Sequence, residues 1–137
     1  MKVGDEVVGS IGRGLCTFVG VTHADDVGSA ERLARRVWRL RVFPDADGDA
    51  NVDANVSAET LGLEVLIVSQ FTLYADTSRG RRPSFVAAAR AAQAEHLVEA
   101  LTASLRGLGA RVATGRFGAM MRVELVNDGP FTVLLEA

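Results

Sequence analysis

Glu64-Val65-Leu66-Ile67-Val68-Ser69-Gln70-Phe71-Thr72-Leu73 decides how the chain is read. Its aliphatic run is too short for a typical helix and suits a strand buried on both faces. The apolar character breaks at Ser69-Gln70 and returns at Phe71. Adjacent polar side chains gain nothing in a buried strand unless hydrogen-bonding groups lie opposite them. Two readings stand. In the plain one, Ser69 and Gln70 satisfy neighbouring backbone at a strand end. In the functional one, the strand delivers polar groups and free backbone N–H donors into a pocket. A second polar interruption, Asn127-Asp128-Gly129-Pro130-Phe131-Thr132, lies between two other apolar runs.

Working outward, 137 residues with 48% hydrophobic and 23% charged content fit one ordinary globular domain spanning 1–137. The longest uncharged apolar runs fall short of a membrane span, and no signal-peptide or lipidation pattern opens the chain. The single cysteine, Cys16, sits in an apolar run and reads as a small core residue. The expected compartment is the cytoplasm. A net charge of −2 gives no global electrostatic case for nucleic acid. The charge is uneven, however: Arg79, Arg81 and Arg82 follow the decisive stretch, and Arg32, Arg35, Arg36, Arg39 and Arg41 crowd a predicted helix. Such runs are solvated faces by default, yet a local basic patch can hold a phosphate backbone.

Taken in order, Val7–Ile11 and Leu15–Val21 read as a hairpin turning at Gly12-Arg13-Gly14. Ser29 is the expected cap of a helix running to about Val42, with Ala30, Leu33, Ala34, Val37 and Trp38 on its buried stripe. Pro44–Asp49 forms an acidic loop without the closing glutamate of a calcium loop, so no metal site is expected. Tyr74–Pro83 is a polar loop. A second helix is predicted from about Val86 to Arg106, stopped by Gly107 and Gly109. Arg111–Ala113, Met121–Val126 and Phe131–Glu136 read as strands. The order implies an α/β fold: a mixed β-sheet covered by two main helices.

The chemistry that is absent narrows the function. No nucleophile elbow, phosphate-binding loop, dinucleotide fingerprint or Cys-x-x-Cys pair occurs, and no cofactor is expected. His23 lies in a turn, and His96 beside a helix stripe. A hydrolase built from this chain would lack an obvious side-chain base and would lean on backbone donors.

Ser69-Gln70-Phe71-Thr72-Leu73 together with Asn127–Thr132 resembles the signature pair of the D-aminoacyl-tRNA deacylases. Gly12-Arg13-Gly14-Leu15, Arg82-Pro83-Ser84-Phe85 and Gly115-Arg116-Phe117-Gly118-Ala119 agree with it, and nearly the whole chain can be laid on the family in order. The resemblance implies a homodimer of layered α/β/β architecture that hydrolyses the ester joining a D-amino acid, or glycine, to the terminal adenosine of tRNA. It implies that Phe71 and Thr72 present backbone N–H groups to the oxyanion, and that Ser69 and Gln70 line the adenosine pocket. It further implies that Gly129-Pro130, a cis dipeptide flanked by Asn127 and Phe131, enters the partner's site and rejects an L side chain by shape. A ribose hydroxyl would serve in place of a protein base. Arg79, Arg81 and Arg82 are the candidates for acceptor-stem phosphate. Members of the family usually open with a further strand carrying Gln-Arg-Val, so the expectation here is either a start placed downstream of the family's or a sheet short of one member. The rival readings are a non-catalytic aminoacyl-tRNA or RNA-end binding module, and a dimerising structural protein.

Overall fold

Residues Glu64–Ser69 form the middle strand of a three-stranded parallel sheet. The computed structural model describes residues 1–44 and 56–137. In chain order the elements are β1 (Lys2–Val3), β2 (Glu6–Val7), β3 (Gly14–Val19), α1 (Val27–Arg39), β4 (Arg41–Phe43) and β5 (Val56–Ser57). There follow α2 (Ala58–Leu61), β6 (Glu64–Ser69), a 3-10 turn (Phe71–Tyr74), α3 (Ala91–Gly107), β7 (Arg111–Thr114) and β8 (Met121–Arg122). Strand β6 pairs in parallel with β3 on one side and β7 on the other. Both faces of it are covered, as the unbroken aliphatic run requires. Val65 and Ile67 pack under the helices with Trp38, Leu101 and Leu105. Leu66 and Val68 face the other way, onto Met1, Met121 and Val123 beside the small antiparallel sheet β2-β1-β8.

The architecture is therefore mixed α/β, but parallel and antiparallel pairings sit in separate small sheets rather than one mixed sheet. The expected Val7–Ile11/Leu15–Val21 hairpin does not form. Gly14 lies directly on the Glu64 backbone with no room for a side chain, which sets β3 alongside β6 instead. The hairpin occurs one element earlier, between β1 and β2, where Gly4 takes φ +58° at the first turn position.

Helix α1 lies a turn earlier in the chain than expected, and α3 is shorter. Asp26, not Ser29, is the N-cap of α1. Its carboxylate accepts from the Ser29 N–H at 2.9 Å, and Ser29 Oγ accepts from the Asp26 N–H at 3.2 Å. The bond from the Ser29 N–H foremost, and a second from Ser29 Oγ to the same carboxylate oxygen at 3.2 Å, hold the Asp26 carboxyl below its ordinary range. The helix ends at Arg39 because Arg41–Phe43 pair with β5, and because Pro44 disfavours helical backbone at the residue before it. Helix α3 begins at Ala91, since Val86 and Ala87 form a turn closed by the Ala88 N–H to Phe85 O at 3.0 Å, and Val86–Ala89 are tied to the strand end at Val21–His23. Of the two C-terminal strands expected, only Met121–Arg122 forms. Residues 123–137 lie in irregular backbone along the open edge of β3, with Val126 92% and Leu134 78% exposed. The expected acidic loop continues past Pro44 outside the described residues.

Candidate active site

At the C-terminal end of β6 the chain stops being a strand. Gln70 still donates its N–H to Val19 O at 2.7 Å, and then Phe71–Tyr74 wind into one 3-10 turn. Within the turn, Leu73 donates to Gln70 O at 3.2 Å, and Ala75 to Thr72 O at 3.1 Å. The first N–H groups of such a turn have no internal acceptor. Those of Phe71 and Thr72 accordingly have none among the described residues. The turn folds close over β3 because residue 20 is glycine: a Cβ there would stand 3.0 Å from the Tyr74 ring and 3.1 Å from Leu73 Cβ. Gln70 Nε2 donates to Thr72 Oγ1, tying the two polar side chains together.

An arm from the polar loop braces this turn. The Phe85 ring meets Phe71 edge-on, with centroids 5.2 Å apart and planes at 70°. The arm is pinned by Ala89 N–H to Val21 O (2.9 Å), by Thr22 Oγ1 to Ala87 O (2.6 Å) and by His23 Nε2 to Val86 O (2.6 Å). Gln93 Nε2 adds bonds to the carbonyls of His23 and Asp25. His23 is thus occupied in holding a loop, and His96 is exposed on α3. Burial raises the pKa of Tyr74, with Asp25 and Glu136 adding to the effect. Burial likewise pushes the Cys16 thiol up, away from a nucleophile's range.

Arg79, Arg81 and Arg82 cap a loop closed by reciprocal Asp76–Ser84 backbone hydrogen bonds of 2.7 and 2.9 Å, with Gly80 at φ +66° at its tip. All three are exposed, and none joins an ion pair among the described residues. Beside Ser69, a cavity of about 360 Å³ opens between α3 and residues 114–121, lined by Thr114, Gly115, Phe117 and Met121 on one side and Glu95 and Glu99 on the other. The sequence offered Phe117 only as part of a family segment. An aromatic between glycines was the available signal, and it becomes a pocket wall only once α3 is packed. The Gly129–Pro130 bond is cis. Asn127 Nδ2 donates to Thr132 Oγ1 at 3.1 Å, closing that loop on itself. Ser69, Gln70, Phe71 and Thr72 are thus gathered in one place. Asn127, Gly129, Pro130 and Phe131 stand apart from them, with no hydrogen bond or ring contact between the groups among the described residues.

The family model described as D-Tyr-tRNA(Tyr) deacylase matches residues 1–136. The chain belongs to the D-aminoacyl-tRNA deacylase family. Membership makes it a hydrolase by family. It is 57% identical over 133 residues to the D-aminoacyl-tRNA deacylase of Mycobacterium avium, covering 95% of this chain and 87% of the relative. It is 56% identical over 140 residues to that of Nocardia farcinica, covering 100% and 92%. Among solved structures, one titled c-Myc DNA Unwinding Element Binding Protein superposes with a TM-score of 0.90 at 36% identity, covering 99% of this chain and 90% of that one. A second, titled as a probable eukaryotic D-amino acid tRNA deacylase, has a TM-score of 0.74 at 15% identity over 88% and 83%. That second likeness shows the fold alone.

Proposed function

We propose that this chain hydrolyses the ester joining a D-amino acid, or glycine, to the 3′-terminal adenosine of tRNA, releasing the free amino acid and tRNA in the cytoplasm. The observation carrying this reading is the pair of unsatisfied N–H groups at Phe71 and Thr72, at the end of the central strand of a deacylase-family fold. As water or hydroxide adds to the ester carbonyl, its oxygen becomes an oxyanion. Two fixed donors stabilise that charge more than they stabilise the ground-state carbonyl. The ribose hydroxyl adjoining the ester assists proton movement, which accounts for a site without a histidine base. Ser69, Gln70 and the cavity walled by Phe117 receive the adenosine, the aromatic ring offering a stacking face. Arg79, Arg81 and Arg82 meet the acceptor stem.

The site is completed by a second copy of the chain, in a homodimer with α/β/β layers. The open edge of β3 and the exposed Leu125, Val126, Val133 and Leu134 support this, because a lone chain leaves too much apolar surface in water there. In the dimer, Gly129-Pro130 reaches the partner's Phe71–Tyr74 turn, with Asn127 and Phe131 fixing the loop. Its backbone fills the space an L side chain needs. A binding-only role has one observation in its favour, the DNA-binding title carried by the 36%-identical structure. Incubation with a molar excess of D-tyrosyl-tRNA separates the two readings. Free tyrosine exceeding the enzyme many times over is expected, whereas protection of the ester without release would establish the binding module.

A further inference from the structure

Helix α1 carries a feature that the hydrolytic site does not use. Ala30, Ala34, Val37 and Trp38 form its buried stripe, Ser29 is buried in the capping turn, and Arg32, Arg35, Arg36 and Arg39 are all exposed. At 100° per residue the four arginines fall within about 100° of arc, on the side opposite the buried stripe. Glu31 is the only acidic residue within the helix. Of these four arginines only Arg39 forms an ion pair among the described residues, with Glu59 at 3.4 Å. Arg36 donates to the Glu136 carbonyl, and Arg32 reaches no closer than 3.4 Å to Ser29 Oγ. A protein of net charge −2 thus presents one continuous basic ridge. Arg36 and Arg39 complement the helix dipole in its last turn, but Arg32 and Arg35 lie too far from the C-terminus for that role.

The ridge also has a direction. Helix α1 starts just beyond Gly20, where the Phe71–Tyr74 turn packs, so the arginines lead away from the candidate site. From Arg32 to Arg39 the rise is about 10 Å, comparable to roughly three successive phosphates along one strand of a duplex. We propose that the exposed arginine ridge of α1 is a second tRNA-binding surface, gripping the sugar–phosphate backbone of the acceptor arm while the terminal adenosine occupies the site. The inference rests on the tRNA reading above and extends the contact beyond the Arg79–Arg82 loop.

The test compares the full wild-type chain with Arg32→Gln/Arg35→Gln, which avoids the last helical turn. Affinity for uncharged tRNA, and KM for D-tyrosyl-tRNA, are titrated from 50 to 200 mM KCl. Losing two phosphate contacts should flatten the log–log salt slope by about 1.4–1.8, so that the fourfold salt rise costs the variant roughly tenfold less affinity than it costs wild type. Maximal turnover should be unchanged, and so should the rate on D-tyrosyl-adenosine, which has no stem. Arg32→Lys/Arg35→Lys should restore the slope, because a point charge suffices to neutralise a phosphate. An unchanged slope in the glutamine variant, or an equal loss on D-tyrosyl-adenosine, overturns the proposal. Binding of uncharged tRNA reads the ridge even if wild type turns nothing over, so failure of the hydrolytic reading and failure of the ridge remain distinguishable.

Discussion

Replacing Phe71 by proline probes the oxyanion donors with little damage to the fold. Proline is tolerated at the first position of a helical turn when the residue before it is extended. Gln70 is outside the helical region, with φ −143° and ψ 84°, so its ψ needs to open by about 40° to reach the extended range, and the Phe71 N–H has no acceptor to lose. The side chain is the confounding change. Phe71 is 55% exposed, and its one ring partner is Phe85. An edge contact of that kind is worth about 0.5–1.5 kcal/mol beyond burial. Phe71→Ala carries the same loss and keeps the N–H, so the ratio of the two variants isolates the donor. Removing one oxyanion donor typically costs on the order of 10²–10³ in kcat, or about 2.7–4 kcal/mol. Single-turnover hydrolysis of D-tyrosyl-tRNA should therefore run roughly 10²–10³ slower in Phe71→Pro than in Phe71→Ala, at similar substrate affinity. Should the two differ by less than about threefold while both remain folded by circular dichroism, the Phe71 N–H is no donor and the mechanism built on it fails.

Further expectations concern stability and assembly. Leu101 is 1% exposed between the sheet and α1, so Leu101→Ala should lower the unfolding free energy by about 2–5 kcal/mol in a urea titration. Gly14→Ala drives a methyl into the Glu64 backbone and should cost at least about 1–3 kcal/mol in the same titration. The folded-state pKa of Asp26 is depressed, so its cap stabilises at pH above the ordinary carboxylate value and is lost as pH falls through the folded pKa. Asp26→Asn, which keeps an N-cap acceptor, should hold the melting temperature near pH 7 and remove that part of its acid dependence. Around Gly129 a Cβ meets nothing within 4 Å in its own chain. Gly129→Val should consequently fold normally yet lose turnover, and subunit exchange with Phe71→Pro should restore activity in roughly a quarter of all sites. No recovery after verified exchange would return that loop to its own chain.

The central strand could be read from sequence because four aliphatic residues leave few alternatives, and its polar end marked Ser69–Thr72 as contiguous candidates. Its neighbours were harder to read. Gly12-Arg13-Gly14 has hairpin composition, but the tight approach of Gly14 to Glu64 that makes β3 parallel is a tertiary fact. Likewise, Val86–Ala89 have the residues of a helix start, yet three hydrogen bonds to Val21–His23, with the Phe85–Phe71 edge contact beside them, draw them into a turn and arm outside the helix. Propensity loses there to pairing across the fold. The alternation at Phe131–Glu136 has no partner strand among the described residues and stays irregular. Continue past Phe71 as a strand and the site would present its N–H groups to a ladder; the 3-10 turn is what leaves them unpaired.

The most direct test of the account is chirality. Deacylation of D-tyrosyl-tRNA and L-tyrosyl-tRNA, charged on the same tRNA, is followed under single-turnover conditions with the wild-type chain. A site that rejects the L side chain by shape should favour the D ester by at least about 10²-fold in kcat/KM, toward the upper end of what a single methylene supplies. Equal turnover of the two esters, or turnover of neither by a folded protein, would contradict it.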